Sequence, residues 1–245
     1  MLPGFAEETP NQSPKILSWW AFLLTVITII VDQLMPLFWV PEIGLPKLAR
    51  TVITYVLLLV VVTSAVGLLL NRVRAYKGKG AFRWWWLPAS YGMYLACAYV
   101  VGLIALLVDA TAAHKTQPNQ AALNEMFIQY PLPMLVMICV LAPILEELLF
   151  REWLPLILKK IVAKGYARKR WLTIVLSIIV WGVPSIIFCL LHTPVGFVGF
   201  ASYGLMTGFL LAMRIIGKTP LASIGFHVVM NVSVTLMIMI PLLFR

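Results

Sequence analysis

Long apolar stretches make up most of this chain, and short polar segments separate them. Seven stretches are long enough to cross the hydrocarbon core of a bilayer, which takes about 20 residues of helix. They cover residues 16–40, 49–71, 84–108, 127–156, 172–192, 195–213 and 220–244. Because backbone groups in lipid must be hydrogen-bonded within their own segment, such runs predict helices and not barrel strands. The pattern predicts an all-α, polytopic membrane protein of about seven transmembrane helices, with six to eight as the range.

The composition agrees with this class. Hydrophobic residues make up 62% of the 245 residues and charged residues 11%, whereas a soluble domain is about 45–50% apolar and about 25% charged. These values exclude a soluble globular protein and a disordered chain.

The net charge of +10 reflects membrane topology and not nucleic-acid binding. Fourteen of the nineteen basic residues lie on one side of the predicted membrane, most of them in two loops at residues 72–83 and 159–170. Arg214 is predicted to lie on the same basic side. Since basic loops stay in the cytoplasm, we predict a multi-pass protein of the cell membrane with the N-terminus and both basic loops cytoplasmic. The expected partner is the lipid bilayer, and no nucleic acid is expected.

Glu146, Glu147 and Arg151 lie inside the fourth apolar stretch, where Leu145–Trp153 reads LEELLFREW, and Glu152 follows them at a position that could be interfacial. Burying each in a bilayer costs about 2.5–3.5 kcal/mol or more. Glu147 and Arg151 are four residues apart, in the order that favours a helical ion pair. Glu146 projects about 100° away and has no local partner, which suits a general base. The alternative is an ion cluster at the inner end of a helix, without catalytic function.

Two of the three histidines also lie in apolar stretches. His192 ends the fifth, and His227 lies in the seventh with Asn231 four residues later on the same helical face. A Glu and a His can activate a water molecule, and a second His with an Asn can donate hydrogen bonds to a developing oxyanion. A zinc site built from Glu and two His stays possible by residue type, although the spacing is not HExxH.

The order and spacing of these residues resemble the CAAX protease and bacteriocin-processing (CPBP, or Abi) family of intramembrane glutamic proteases. Its motif EExxxR matches residues 146–151, FxxxH matches 188–192, and HxxxN matches 227–231. The resemblance covers about residues 127–235. It divides the chain into residues 1–126, an N-terminal cytoplasmic segment with three transmembrane helices, and residues 127–245, the catalytic core.

The resemblance implies roles for four residues in particular. Glu146 and His192 would activate the water, and His227 and Asn231 would form the oxyanion hole. The implied activity is hydrolysis of a peptide bond in a membrane-embedded or lipidated, CAAX-like substrate, with no cofactor and no metal.

The resemblance assigns Glu147, Arg151 and Phe188 to supporting positions, the first two as an ion pair and the third beside His192 or the substrate. The same fold would also serve a non-catalytic scaffold, regulator or bacteriocin self-immunity protein. Some members of the family have been labelled metalloproteases. A proton-coupled transporter is a third functional class, because it would also use intramembrane Glu and His.

Two expectations concern geometry. His192 is about 33 Å of straight helix away from Arg170, so we expect the fifth segment to be kinked near Pro184, tilted, or to start outside the membrane, which would bring His192 within about 10 Å of Glu146. Asp32, in the first stretch, marks either a polar contact or, as we favour, a helix that ends early.

Overall fold

Every secondary-structure element in the part of the chain that the computed structural model describes is a helix. That part comprises residues 19–34, 44–76, 82–108, 121, 124, 126–128, 130–162 and 170–243. The helices are α1 (Trp19–Leu34), α2 (Lys47–Ala75), α3 (Trp86–Val108), α4 (Pro131–Val162), α5 (Arg170–Leu191), α6 (Gly196–Gly217) and α7 (Pro220–Leu243).

The prediction of an all-α, polytopic membrane protein with about seven helices is confirmed. Six helices, α2 to α7, are long and apolar enough to cross a membrane, and α1 is a shorter apolar helix. Residues 1–18, 77–81 and 163–169, which include the N-terminus and much of both basic loops, lie outside the described part. The cytoplasmic orientation of these segments and the division of the chain at residue 126 therefore stay predictions.

Helix α4 lies at the centre of the bundle. On one side its buried residues, Leu145, Leu148 and Trp153 among them, pack with residues of α1 and α2. On the other side Phe150 packs with a second cluster drawn from α5, α6 and α7. Glu147, Arg151 and Glu152 of α4 are thus buried among other helices, which is where intramembrane charges are tolerated.

Two π-helical turns interrupt α4, at Met137–Leu141 and at Leu149–Trp153. Pro143 and Pro155 each stand two residues beyond one of these turns. Proline has no N–H, so it cannot donate to the carbonyl groups of the preceding turn. The wider turn accommodates this loss, and it leaves carbonyl groups free for side chains of other helices.

Helix α5 runs without interruption through Pro184 and ends at Leu191, immediately before His192. The chain then turns through Thr193, whose φ of 48° is positive, and Gly196 begins α6. The prediction of a kinked, tilted or membrane-external start to this segment stays a prediction.

Candidate active site

The acidic motif lies on α4, in the α-helical turns and the π-helical turn around residues 146–151. Glu147 Oε1 is 3.2 Å from Arg151 Nη1, and both side chains are buried. This is the ion pair that the four-residue spacing indicates. The Glu146 side chain, by contrast, is 23% exposed. The two adjacent carboxylates therefore differ in access: Glu147 is held inside, and Glu146 is open to a small molecule such as water.

His227 on α7 contacts both carboxylates. Its Nδ1 is 3.2 Å from Glu147 Oε1, and its Nε2 is 3.8 Å from Glu146 Oε2. The first distance is that of a hydrogen bond, in which Nδ1–H donates to the carboxylate. The second is too long for a direct hydrogen bond but short enough for one water molecule to contact both groups. The side chain of His227 is buried, so these contacts fix the orientation of its ring.

Phe188 joins the remaining parts of the cluster. The Arg151 guanidinium carbon lies 3.9 Å from the centre of the Phe188 ring, a cation–π contact. The ring centres of His192 and His227 lie 4.5 Å and 6.0 Å from that of Phe188. Phe188 is fully buried, and both histidines and the guanidinium pack against its ring.

His192 is held by its own helix and by α6. Its Nδ1 is 2.8 Å from the Phe188 carbonyl oxygen, and its ring centre is 5.0 Å from that of Tyr203. Because a carbonyl oxygen only accepts, Nδ1 carries the hydrogen in the neutral imidazole and Nε2 keeps its lone pair. His192 is partly exposed, so Nε2 is the nitrogen that can accept a hydrogen bond from water. A distance below 10 Å between His192 and Glu146 stays a prediction.

Asn231 ties α7 to the first π-helical turn of α4. Its Nδ2 donates to the Ile138 carbonyl at 2.8 Å, and one helical turn later Thr235 accepts from Cys139 Sγ at 3.4 Å. Pro143 stands five residues after Ile138 and has no N–H for its carbonyl, so Asn231 supplies the missing donor. One N–H of the Asn231 amide is therefore engaged, and the other stays available to a substrate.

A second ion cluster follows directly on α4, and the sequence reading missed it. The Glu152 carboxylate accepts hydrogen bonds from Arg72 of α2, from Tyr76 Oη at 2.8 Å and from Arg214 Nη2 of α6 at 2.7 Å. The Arg72 guanidinium also stacks 4.5 Å from the Trp153 ring centre. All of these charged groups are buried.

The assignment of Arg72 and Arg214 to topology alone is therefore wrong, because both are partners of a buried acid. The signal in the sequence was Glu152, one of only nine acids and the neighbour of an intramembrane motif. Asp32 is buried at 3% exposure, and α1 ends at Leu34, two residues later. The choice between a polar contact and a helix that ends early stays a prediction.

Among the described residues, no three or more His, Cys, Asp and Glu side chains are grouped so that they could hold a metal ion. Glu147 contacts Arg151 and His227, and His227 also lies near Glu146, whereas His192 contacts Phe188 and Tyr203.

Residues 128–233 match the model of the family described as type II CAAX prenyl endopeptidase, Rce1-like. The match covers 106 of the 245 residues, so this segment is similar to that family. The resemblance noted from the three motifs is confirmed, and all seven site residues lie within the matched segment. No curated protein and no solved structure gives a significant match. The similarity of this segment supports a CAAX-type intramembrane protease at the level of the family.

Proposed function

We propose that the protein is an intramembrane endopeptidase that hydrolyses a peptide bond in a membrane-associated or lipidated, CAAX-like protein or peptide. The observation that carries the proposal is the partly exposed Glu146 carboxylate, 3.8 Å from the buried His227 and adjacent in sequence to the buried Glu147–Arg151 ion pair. A single accessible carboxylate in an otherwise enclosed polar cluster suits a general base that activates water.

In the first step a water molecule lies between Glu146 and Nε2 of His192. The water donates one hydrogen bond to this nitrogen, which holds its oxygen toward the substrate carbonyl carbon. Glu146 takes the other proton as the new carbon–oxygen bond forms. This needs no covalent enzyme intermediate and no cofactor.

The tetrahedral intermediate carries a negative oxygen, which His227 and Asn231 would stabilise. His227 can do so when both ring nitrogens carry hydrogen, because Nδ1 already donates to Glu147 and Nε2 then donates to the oxyanion. The N–H of Asn231 that does not bind Ile138 is the second donor. When the carbon–nitrogen bond breaks, Glu146 returns its proton to the amine nitrogen.

Three supporting residues hold this arrangement in place. Glu147 accepts from His227 and pairs with Arg151. Phe188 supports the guanidinium and both imidazoles. Rings and charges that are fixed in this way are pre-organised, which is how an enzyme stabilises charge as it develops.

The test is cleavage of quenched fluorescent peptides by the purified full-length protein in lipid nanodiscs. One peptide carries a prenylated CAAX tail, and a matched peptide lacks the lipid. We expect Glu146→Gln and His192→Gln to lower kcat/KM by at least about 100-fold, the usual contribution of general-base catalysis. Cys189→Ala, three residues before His192 on α5, is the matched control and should keep wild-type activity.

Wild-type cleavage rates in both site variants would refute the mechanism. If Glu146→Gln abolishes cleavage but preserves the cellular phenotype of the protein, the scaffold or self-immunity alternative is correct. Faster cleavage of the prenylated peptide would assign a lipidated substrate.

A further inference from the structure

The second ion cluster, centred on Glu152, takes no part in the proposed reaction, yet it is built into the candidate active site. Glu152 lies in the π-helical turn Leu149–Trp153, directly after Arg151. The three successive side chains of Arg151, Glu152 and Trp153 are each at most 1% exposed. π-helical turns are rare, and they occur frequently at functional sites. A turn that buries two opposite charges in neighbouring positions must be held by contacts that offset their desolvation.

The three side chains of this turn contact different helices. The Arg151 guanidinium carbon lies 3.9 Å from the centre of the Phe188 ring on α5. Trp153 Nε1 donates to Thr25 Oγ1 on α1 at 3.0 Å. Glu152 accepts hydrogen bonds from residues of α2 and α6. One turn of α4 is therefore fixed to four other helices.

Glu152 has the largest share of these contacts, and they form a closed network. Its carboxylate accepts from Arg72, from Tyr76 Oη at 2.8 Å and from Arg214 Nη2 at 2.7 Å. Arg214 Nη2 also donates to Tyr76 Oη at 2.7 Å, so Glu152, Tyr76 and Arg214 contact one another in a ring. Arg72 and Tyr76 lie outside the segment 128–233, so the network connects the site to a part of the chain that the family similarity does not cover.

The conformation of this turn determines the direction in which the acids of the site point. Glu146 and Glu147 precede the turn, and Trp153 ends it. A π-helical turn contains about one residue more than an α-helical turn, so its conversion to α-helix would rotate the residues before it by about 100° relative to those after it. Because Trp153 is fixed to Thr25, this rotation would move both acids. Glu147 would then lose its 3.2 Å contact with His227.

We propose that Glu152 is a positioning residue of the candidate active site. Its contacts with α2 and α6 keep α4 in the π-helical turn, and the turn sets the angle at which the two preceding acids face His227. Glu152 itself touches neither the water nor the substrate of the proposed reaction. The effect on catalysis rests on the proposed function, whereas the effect on the geometry of the acids does not.

The first test measures this geometry without turnover. The chain has three histidines, so the nitrogen spectrum of ¹⁵N-histidine-labelled full-length protein in lipid nanodiscs is simple, and His227→Gln identifies the signals of His227. The triple change Arg72→Met, Glu152→Leu and Arg214→Met removes the cluster with both signs of charge, which is often neutral for stability. In this variant the resonance of His227 Nδ1 should shift, because its N–H loses the Glu147 acceptor.

Two further variants make this result specific. Arg74→Gln, an exposed position in the same turn of α2 as Arg72, is the matched control and should leave the His227 signal unchanged. Tyr76→Phe removes one donor to Glu152 but no charge, so it tests the network in a chain that keeps its ion pairs. It should shift the same signal in the same direction by a smaller amount. An unchanged His227 signal in both the triple variant and Tyr76→Phe would overturn the proposal.

The second test measures catalysis on the prenylated CAAX peptide. The triple variant should lower kcat by about 10–100-fold, because small displacements of catalytic groups have effects of this size. Its KM should stay within about twofold of the wild-type value, since the cluster does not bind substrate. Tyr76→Phe should lower kcat less, and Arg74→Gln should change neither constant.

The outcomes separate positioning from a merely structural role. Wild-type kcat in a triple variant whose Tm is close to that of the wild type would overturn the proposal, because the cluster would then serve stability alone. A rise in KM with unchanged kcat would also overturn it. Absence of cleavage by the wild-type protein would refute the proposed function, while the histidine spectra would still decide whether Glu152 positions the acids.

Discussion

The carboxylate of Glu152 forms ion pairs with the guanidinium groups of both Arg72 and Arg214. Tyr76 donates to the same carboxylate. Glu152→Gln removes the negative charge, keeps the shape of the side chain, and leaves one oxygen as an acceptor. It therefore removes the negative charge that both buried cations contact, while changing packing very little.

Loss of one partner from a buried ion pair costs about 3–5 kcal/mol of unfolding free energy, and we expect a value in this range. For a chain of this length each kcal/mol shifts Tm by about 2–4 °C, so Tm should fall by about 6–20 °C. The assay is thermal unfolding of the purified protein in detergent, followed by intrinsic tryptophan fluorescence. Arg74→Gln is the matched control: Arg74 is exposed in the same turn as Arg72, and its replacement should shift Tm by less than 2 °C.

A second variant separates loss of compensation from loss of packing. The triple change Arg72→Met, Glu152→Leu and Arg214→Met removes both signs of charge. Apolar replacement of a whole buried ion cluster is often neutral or stabilising, so Tm should recover to within a few degrees of the wild-type value. The reasoning is refuted if Glu152→Gln shifts Tm no more than Arg74→Gln, or if the triple variant is less stable than Glu152→Gln alone.

Two further predictions concern the site itself. Glu146→Gln should abolish cleavage but leave Tm within about 2 °C of wild type, whereas Glu147→Gln should lower both cleavage and Tm, because only Glu147 is buried against a cation. The cleavage rate and Tm, measured on the same preparation, check this prediction. Equal losses of Tm in the two variants would contradict it. Asn231→Ala should lower the free energy of unfolding by about 1–3 kcal/mol, as measured by thermal unfolding, because it leaves the Ile138 carbonyl without its donor. In a Pro143→Ala background this loss should be smaller, because the alanine N–H can replace the amide of Asn231. An equal loss in both backgrounds would contradict the role of the proline.

The fold class followed directly from the sequence, because the bilayer imposes its constraint on each segment separately. A segment must be about 20 residues long and apolar, and it must satisfy its own backbone. The helix limits predicted for residues 84–108 and 220–244 differ from Trp86–Val108 and Pro220–Leu243 by two residues or fewer at each end. The predicted limits 127–156 differ more from the structure, because α4 runs from Pro131 to Val162 and so extends past Lys159 and Lys160.

The identity of the site residues also followed from the sequence, because charge within lipid is costly and so rarely occurs without a function. Glu147 and Arg151 form their predicted pair because the spacing of a helix is a local property. The structure brings His227 to both acids and sets Phe188 between the two histidines. The catalytic roles of these residues stay predictions.

Contacts between segments distant in the chain depended on the tertiary structure. Arg72 and Arg214 are 142 positions apart, and nothing local to either indicates that both bind Glu152. The same is true of Thr25, which accepts a hydrogen bond from Trp153, 128 positions further along the chain. The hydrophobic pattern specifies which segments are helices and where charge is out of place, but many packings bury the same apolar area. Only the packing of the helices determines which buried charges meet. It therefore determines which of them form ion pairs and which stay accessible for a reaction.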